Sequence, residues 1–437
     1  MSEKKNSEKI IADLLGHIKL TKGFMAWMGL LSIALVVCLY AYFLQLRDGM
    51  GVTGLSDYVS WGMYISNFVF FVATSLIGML ISAVLSLLKQ KWAEPLARIA
   101  EIIALAFAAV AGLVIIMDMG RPERLLNVFL HGRIQSPIVW DVTVVTIYVL
   151  ISTLFLYIPL IPDLKICSEK LDKLPPFARK IYSILSLNWN GTSEQKELIR
   201  KSTRALAIFI IPVALAIHTV TSWLFANTSR PGWDSTIFGP YFVTGAFVSG
   251  TAAVIIAMFV FRKSFRLQDY ITDVHFDKMG KLLVLVSLVY LYFNLNEYMV
   301  PAYKMKRADA HHIHTLFTGS HAVMFWITQL GGLLIPLILL MFKPMRKPMP
   351  MLVLAGMVLI GSWFKRYIIV VPTMEHPFLP IQNVPDYFHV YTPTITEILV
   401  TIAPMIMALL IITILSKVIP IIPLQETLDH ASEQGTK

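Results

Sequence analysis

Ten stretches of predominantly apolar residues punctuate this chain, and nothing in it constrains the fold more. They run Phe24–Leu46, Trp61–Leu88, Ile99–Met117, Ile138–Ile161, Ala205–Ala226, Tyr241–Phe261, Leu282–Val300, His321–Phe342, Met351–Val371 and Ile395–Leu415. Each approaches or exceeds the roughly 20 residues that carry an α-helix across a hydrocarbon core about 30 Å thick. Barrel strands are shorter and alternate in polarity, so closed strands are excluded. Of the 437 residues, 56% are hydrophobic and 15% charged, where a soluble domain carries roughly 25% charged residues. The expected fold class is an all-α integral membrane protein with about ten transmembrane helices.

The formal net charge of +10 would suit nucleic acid if it formed one patch, but it is spread over loops between apolar spans. Lys4, Lys5, Lys9, Lys19 and Lys22 precede the first span, and Lys89, Lys91 and Arg98 follow the second. Lys165, Lys170, Lys173, Arg179, Lys180, Lys196, Arg200, Lys201 and Arg204 fill the long fourth loop. Arg262, Lys263 and Arg266 lie in the sixth, and Lys343, Arg346 and Lys347 in the eighth. Positive charge marks the cytoplasmic side, so both termini and the even-numbered loops are expected there, in a multi-pass protein of the cytoplasmic (inner) membrane. The distribution reflects a lipid bilayer and not a nucleic-acid partner. A polar, lysine-rich start and a long first apolar run do not fit a cleavable signal.

The odd-numbered loops are mixed in charge and rich in Gly, Pro, His and aromatics. Examples are Met117–Arg124, Ser229–Trp233, His311-His312-Ile313-His314 and Met374–Pro380. Such loops suit packing and docking. Three imidazoles within four loop residues cannot easily ligate one ion, so no metal site is expected. Cys38 and Cys167 stand apart, outside any CxxC motif, which leaves an iron–sulfur cluster or structural zinc without ligands. A transmembrane haem needs axial His pairs inside spans, and only His218 is well inside one.

A weak internal repeat organises the spans. Trp61-Gly62-Met63-Tyr64 opens the second span and Phe238-Gly239-Pro240-Tyr241 the sixth; Ser222-Trp223 near the end of the fifth recurs as Ser362-Trp363 in the ninth. Spans two to five and six to nine read as two four-helix bundles in parallel repeat, flanked by one extra helix at each end. The expected divisions are a cytoplasmic segment 1–23, the first helix and outer loop 24–57, bundles 58–226 and 227–373, a loop and last helix 374–421, and a tail 422–437. Gly78 with Ser82, and Gly245 with Ser249, give small-xxx-small spacing for close helix contact.

Ionisable groups inside a membrane are costly and usually face a bundle interior, so function is sought there. In the first bundle Trp61, Tyr64 and Asn67 lie in the outer third of the second span, Asp118 ends the third, Asp141 lies one turn into the fourth, and His218 is in the outer half of the fifth. Arg121 and Arg124 follow Asp118. Taken singly, each reads as readily as a boundary or satisfied packing residue as it does as a functional one; together they predict a polar level shared by four helices. That is the chemistry a quinol needs: a carboxylate or imidazole to accept protons and donors to orient the ring. Asp141 and His218 are the expected proton-handling pair, with Asp118 beside them, and Tyr64 and Asn67 the orienting groups. In the second bundle Asn294, Glu297, His321, Lys365 and Arg366 form another set. A Glu297–Arg366 ion pair holding the bundle together is one reading and a proton relay the other. Glu101 and Glu397 read as half-channel residues or as snorkelling end residues.

Trp61-Gly62-x-Tyr64 with Asn67-Phe68-Val69-Phe70, then Asp118-x-Gly120-Arg121-Pro122-x-Arg124, resembles the NrfD/polysulfide reductase (PsrC-like) membrane-subunit family. Trp363-Phe364-x-Arg366-Tyr367 leading to Val371-Pro372-Thr373 is similar to its longer, ten-helix members, as in alternative complex III and DsrP-type subunits. The resemblance implies a quinone-interacting subunit of a respiratory oxidoreductase, with menaquinone or ubiquinone as substrate and no haem or iron–sulfur cluster of its own. It implies a periplasmic ferredoxin-like iron–sulfur partner, with a molybdopterin or multihaem cytochrome c subunit beyond it. It also implies a quinone site in the first bundle, involving Trp61, Tyr64, Asn67, Arg121 and Arg124 beside Asp118, Asp141 and His218, and proton routes that give Glu101, Asn294, Glu297 and Arg366 a role. The rival classes are a secondary transporter built on two bundles and a membrane anchor without chemistry. Transporters usually break helices at matching positions, whereas Pro212 and Pro336 do not correspond between the repeats.

Overall fold

The computed structural model describes residues 2–18, 20–88, 90–171, 175–228, 230–376 and 385–435. Lys19, Lys89, Lys173, Ser229 and the 377–380 part of the outer loop, all named above, lie outside the described residues. Among the described residues, ten helices are long and apolar enough to cross a membrane. They are α1 (Lys22–Asp48), α2 (Met63–Leu87), α3 (Glu94–Asp118), α4 (Pro137–Lys170), α5 (Ser193–Ala226), α6 (Phe238–Ser264), α7 (Asp273–Lys304), α8 (Ala322–Leu340), α9 (Pro348–Met374) and α10 (Ile395–Val418). Among the described residues there are no β-strands, as expected where every backbone group must be satisfied within its own segment.

Local chemistry sets the ends. Thr21, Thr192 and Thr394 cap α1, α5 and α10, each hydroxyl accepting a backbone N–H one turn on, which satisfies an otherwise orphaned donor. Pro137 starts α4, where its missing N–H costs nothing. Gly49, at φ 81°, closes α1. Several helices outrun their apolar bands: α4 continues from Ile161 to Lys170, and α5 begins at Ser193 rather than Ala205. Helical hydrogen bonding does not stop at the lipid boundary. The His311–His314 stretch, expected as loop, belongs to a short helix, Arg307–Phe317. Within α8 the turns Ile327–Leu334 widen to a π-helix around Gly331-Gly332.

Successive spans run in opposite directions, so ten crossings bring both termini to one end, termed basal here; the other is distal. Helices α2 to α5 pack as one four-helix bundle and α6 to α9 as a second, joined mainly through α2 against α6 and α9. The flanking helices do not stay apart as the chain order suggests: α1 and α10 pair with each other, and α10 packs along α3. Helix α2 is consequently enclosed on all sides, with every residue from Tyr64 to Ala83 buried. At Gly250 in α6 a Cβ atom would sit 1.9 Å from the Ile77 Cγ2 of α2, so glycine sets how closely the bundles approach.

Candidate functional site

The expected site residues of the first bundle sit near the distal end, but α2 parts them into separate neighbourhoods. On one side, Tyr64 donates to Gln45 Oε1 of α1 at 2.6 Å, and Gln45 Nε2 donates to the Met117 carbonyl of α3 at 2.8 Å. Asp118 follows, its Oδ1 buried without a partner and within electrostatic range of Glu397. The Glu397 carboxylate is fully buried; it accepts the Gly54 N–H at 2.9 Å and the Tyr391 hydroxyl. Glu397 is therefore no snorkelling end residue. Tyr391 also accepts the Met63 N–H at 2.9 Å, and a Cβ on Gly62 would meet its hydroxyl at 2.4 Å. That contact gives the glycine of Trp61-Gly62-x-Tyr64 its structural reason. Two carboxylates and two phenols thus meet between the flanking pair and the first bundle, a cluster that sequence depth alone did not assemble.

On another side lies the first bundle's interior. Asp141 of α4, 3% exposed, accepts a hydrogen bond from the Thr221 hydroxyl of α5 at 2.5 Å. His218, one turn before Thr221, is fully buried; no side chain bonds its ring, whose backbone neighbour is the Ala214 carbonyl one turn back. It points toward the junction with the second bundle, its ring centroid 6.5 Å from that of Phe242. Arg366 stacks over the same Phe242 ring at 4.7 Å. Asn67 bridges elsewhere, donating to the Thr401 carbonyl of α10 at 2.9 Å and accepting from the Trp363 indole of α9 at 3.1 Å. Trp61 packs against Phe225 and Trp233 at 5.4 and 5.7 Å. Arg121 and Arg124 are exposed at the distal surface.

A polar line descends from Asp141 through the first bundle. Two turns along α4, Tyr148 donates to the Ser75 carbonyl at 2.8 Å, and the buried Ser152 follows one turn on. Two turns along α2 from Ser75, Ser82 donates to Glu101 at 2.5 Å. Glu101, 5% exposed, lines a cavity of about 240 Å³ toward the basal end with Arg98, Thr203 and Glu426. It is a buried residue and does not snorkel. Below it Arg98 pairs with Asp163, which also accepts the N–H groups of Leu424 and Gln425 at 3.1 and 2.9 Å.

In the second bundle the expected Glu297–Arg366 ion pair is not formed. Glu297 accepts the Ser235 hydroxyl at 2.7 Å, and its nearest cation is Lys365, which bonds the Tyr298 hydroxyl. The aromatic face of Phe242 takes Arg366 instead, because α9 turns adjacent residues to different neighbours. Asn294 donates to Gln329 in the π-helical turn at 2.7 Å. Two cavities of about 20 Å³ each touch these groups, one lined by Glu297, Asp309 and His312, the other by Gln329, Lys365 and Arg366. Each has room for about one water.

At the distal surface the His311 and His376 rings pack at a tilt of 34° with centroids 4.3 Å apart, while His312 is buried against Gly232. Burial holds the His312 imidazole down to about 3 and that of His376 to about 4, with neighbouring imidazoles adding to both. His321 Nε2 lies 3.8 Å from Glu375, whose carboxyl burial pushes up. Among the described residues no group of three His, Cys, Asp or Glu side chains is placed to hold a metal ion.

Fold and interior together define a class: a polytopic helical membrane protein with buried carboxylates and imidazoles carried inside its bundles. Residues 51–376 match the family model described as polysulphide reductase, NrfD, and the chain belongs to this family. It is 31% identical, over 74% of this chain and 70% of the relative, to a Halobacterium salinarum protein provisionally named as a dimethyl sulfoxide reductase membrane subunit. It is 23% identical to a selenate reductase subunit of Mesobacillus selenatarsenatis, over 93% of this chain and 96% of the relative. It is also 23% identical to the menaquinone reductase integral membrane subunit of Nitratidesulfovibrio vulgaris, over 93% and 94% of the two chains. The resemblance read from the motifs therefore holds, and the chain is a membrane subunit of the kind found in oxidoreductase complexes.

Proposed function

We propose that this chain is the quinone-reactive subunit of a respiratory oxidoreductase of the cytoplasmic membrane, its termini cytoplasmic and its distal end facing the periplasm. A ferredoxin-like iron–sulfur subunit docks on that distal surface and exchanges electrons with the quinone. The relatives named for menaquinone chemistry support the substrate class, and the basic basal loops support the orientation.

The observation that carries this reading is the buried Asp141–Thr221 pair at the distal end of the first bundle, with His218 buried one turn along α5 from Thr221. A quinol gives up two protons with its two electrons. The His218 nitrogens accept or donate at a quinone oxygen, and the Asp141 carboxylate takes the second proton while Thr221 fixes its orientation. Trp61, Arg121 and Arg124 shape the neighbouring distal surface, and the buried Tyr64 and Asn67 fix α2 beneath it. The carboxylate pair Asp118 and Glu397 stands across α2 as a further proton acceptor, since two nearby carboxylates favour sharing a proton. Tyr148, Ser75, Ser152, Ser82 and Glu101 line the route between this level and the basal cavity; Asn294, Glu297 and Arg366 serve the second bundle in the same way.

The test replaces Asp141 by Asn and, separately, His218 by Phe in the assembled complex. Quinol-dependent turnover is expected to fall by roughly 10²–10⁴, the usual worth of a general acid or base, with subunit stoichiometry unchanged. Full turnover in both variants would overturn the assignment.

A further inference from the structure

Among the described residues, Arg366 is a buried cation without an anion. It is 2% exposed, and its Nε and Nη1 are both buried with no hydrogen-bond partner. The Phe242 ring takes the flat face of the guanidinium. Its N–H bonds lie in the guanidinium plane and point away from that ring. The groups within electrostatic range of Arg366 are Tyr241, Tyr290, His218 and Lys365. None is a carboxylate, and Glu297 answers Lys365 and the Ser235 hydroxyl instead. A guanidinium does not shed its proton to escape burial, and a buried charge left unpaired is strongly destabilising.

Arg366 lines one of the two cavities of about 20 Å³, whose walls come from the four helices α6 to α9. Thr328 and Gln329 of α8 line it too, and the Thr328 hydroxyl and Gln329 Nε2 are likewise buried without a partner. Gln329 Oε1 is already engaged by Asn294, so the amide has its donor end to offer. Asn294 Oδ1 is an unpartnered acceptor, but Asn294 does not line this cavity. Lys365 is held by the Tyr298 hydroxyl and by the rings of Tyr241, Tyr298 and Phe325, and nothing further is asked of it. The groups left open here are therefore donors, one of them fully charged.

The backbone makes the space. Thr328 and Gln329 ride on the π-helical turns Ile327–Leu334, a widening that recurs at functional sites. A Cβ on Gly245 would stand 3.0 Å from Arg366 Nη2, so glycine admits the guanidinium. Room for about one water excludes phosphate, sulfate and carboxylates, whereas a halide ion is of similar size. A water would bridge the donors but leave the charge unanswered.

We propose that this cavity is a chloride site, the ion serving as buried counter-ion to Arg366 and tying α8 to α9. The site goes beyond the quinone reading and does not rest on it.

The test compares the full-length protein in mild detergent with two variants. Each is dialysed against bromide, and bound chloride and bromide are counted together by ion chromatography. Gln329→Glu keeps the acceptor for Asn294 and brings a carboxylate to Arg366 from within the chain; gel filtration shows that it has folded. The parent is expected to hold about one halide per chain more than Gln329→Glu, as a cavity of this size allows. Arg366→Met, which removes the charge, is expected to lose the same ion. With ionic strength held constant by gluconate, the melting temperature of the parent is expected to climb with bromide and level off, as a saturable site requires. Both variants are expected to stay flat. Equal halide counts in the parent and Gln329→Glu, the result if the cavity holds water only, would overturn the proposal. So would a bromide-dependent rise of the same size in both, the mark of surface screening.

Discussion

Replacing Asp163 by Asn should unlatch the basal end, and its cost can be reasoned from the contacts. Asp163 and Arg98 are 1% and 2% exposed and pair directly where α3 meets α4. The same carboxylate receives the first two N–H groups of the C-terminal helix Leu424–Gly435. One side chain thus neutralises a buried guanidinium and caps a helix. Asn keeps the shape but removes the charge, leaving the buried Arg98 without its direct partner, with Glu101 and Glu426 only within electrostatic range. Breaking a buried pair in this way costs about 3–5 kcal/mol. Arg98→Met should cost a similar amount, since it strands the carboxylate. The double variant leaves neither charge behind and should lose only about 1–2 kcal/mol, the worth of a weakened cap. Equilibrium unfolding of the four proteins in one detergent measures the cycle. If the two single losses simply add in the double variant, the pair is not coupled and the reasoning fails. Limited proteolysis adds a local readout: cleavage near Leu424 should accelerate in Asp163→Asn.

Other perturbations follow from the same contacts. Gly250→Ala drives a methyl group into Ile77 and should destabilise the junction between bundles by about 1–3 kcal/mol; Gly112→Ala, with nothing within 4 Å, is its control in the same melting assay. Tyr148→Phe removes the donor to the Ser75 carbonyl, costing about 1 kcal/mol in stability; quinol-linked proton uptake should slow if the polar line carries protons, and an unchanged rate would dismiss that line. His312 and His376 are held near 3 and 4 when folded, whereas an unfolded imidazole titrates near 6.5. Between those values the unfolded chain binds more protons, so the distal helix Arg307–Phe317 is fully stable above about pH 6.5 and loses stability as pH falls toward 4. Hydrogen exchange of that helix across the range tests it, and a flat profile would refute it.

What the sequence revealed and what it withheld divide along a physical line. Hydropathy integrates over a whole turn, so all ten spans and their alternation were legible without knowing which face of any helix looks where. Rotation is decided by packing. Tyr64 and Asn67 share a helical stripe by spacing, yet one reaches Gln45 of α1 and the other Trp363 of α9, because α2 has neighbours on every side. Adjacent Lys365 and Arg366 part for the same reason. The Asp141–Thr221 bond was within reach, since Thr221 lies one turn from His218, but a threonine in an apolar span carries no charge to draw notice. Glu397 looked like a boundary residue because its partners, Gly54 and Tyr391, come from loops whose course hydropathy does not describe.

The pairing of α1 with α10 bears on how the protein is made. Helix α1 leaves the ribosome roughly 350 residues before its partner. At roughly 5–20 residues per second the wait is about 20–70 s. Throughout that interval α1 must persist in the bilayer without its eventual neighbour. Its sequence suits the task, for Leu30, Ile33, Val36 and Phe43 remain lipid-facing even in the finished fold. Truncation before α10 should therefore leave an inserted but unclosed chain, in which the Asn67 amide has lost its Thr401 acceptor and marks the chain for membrane quality-control proteases.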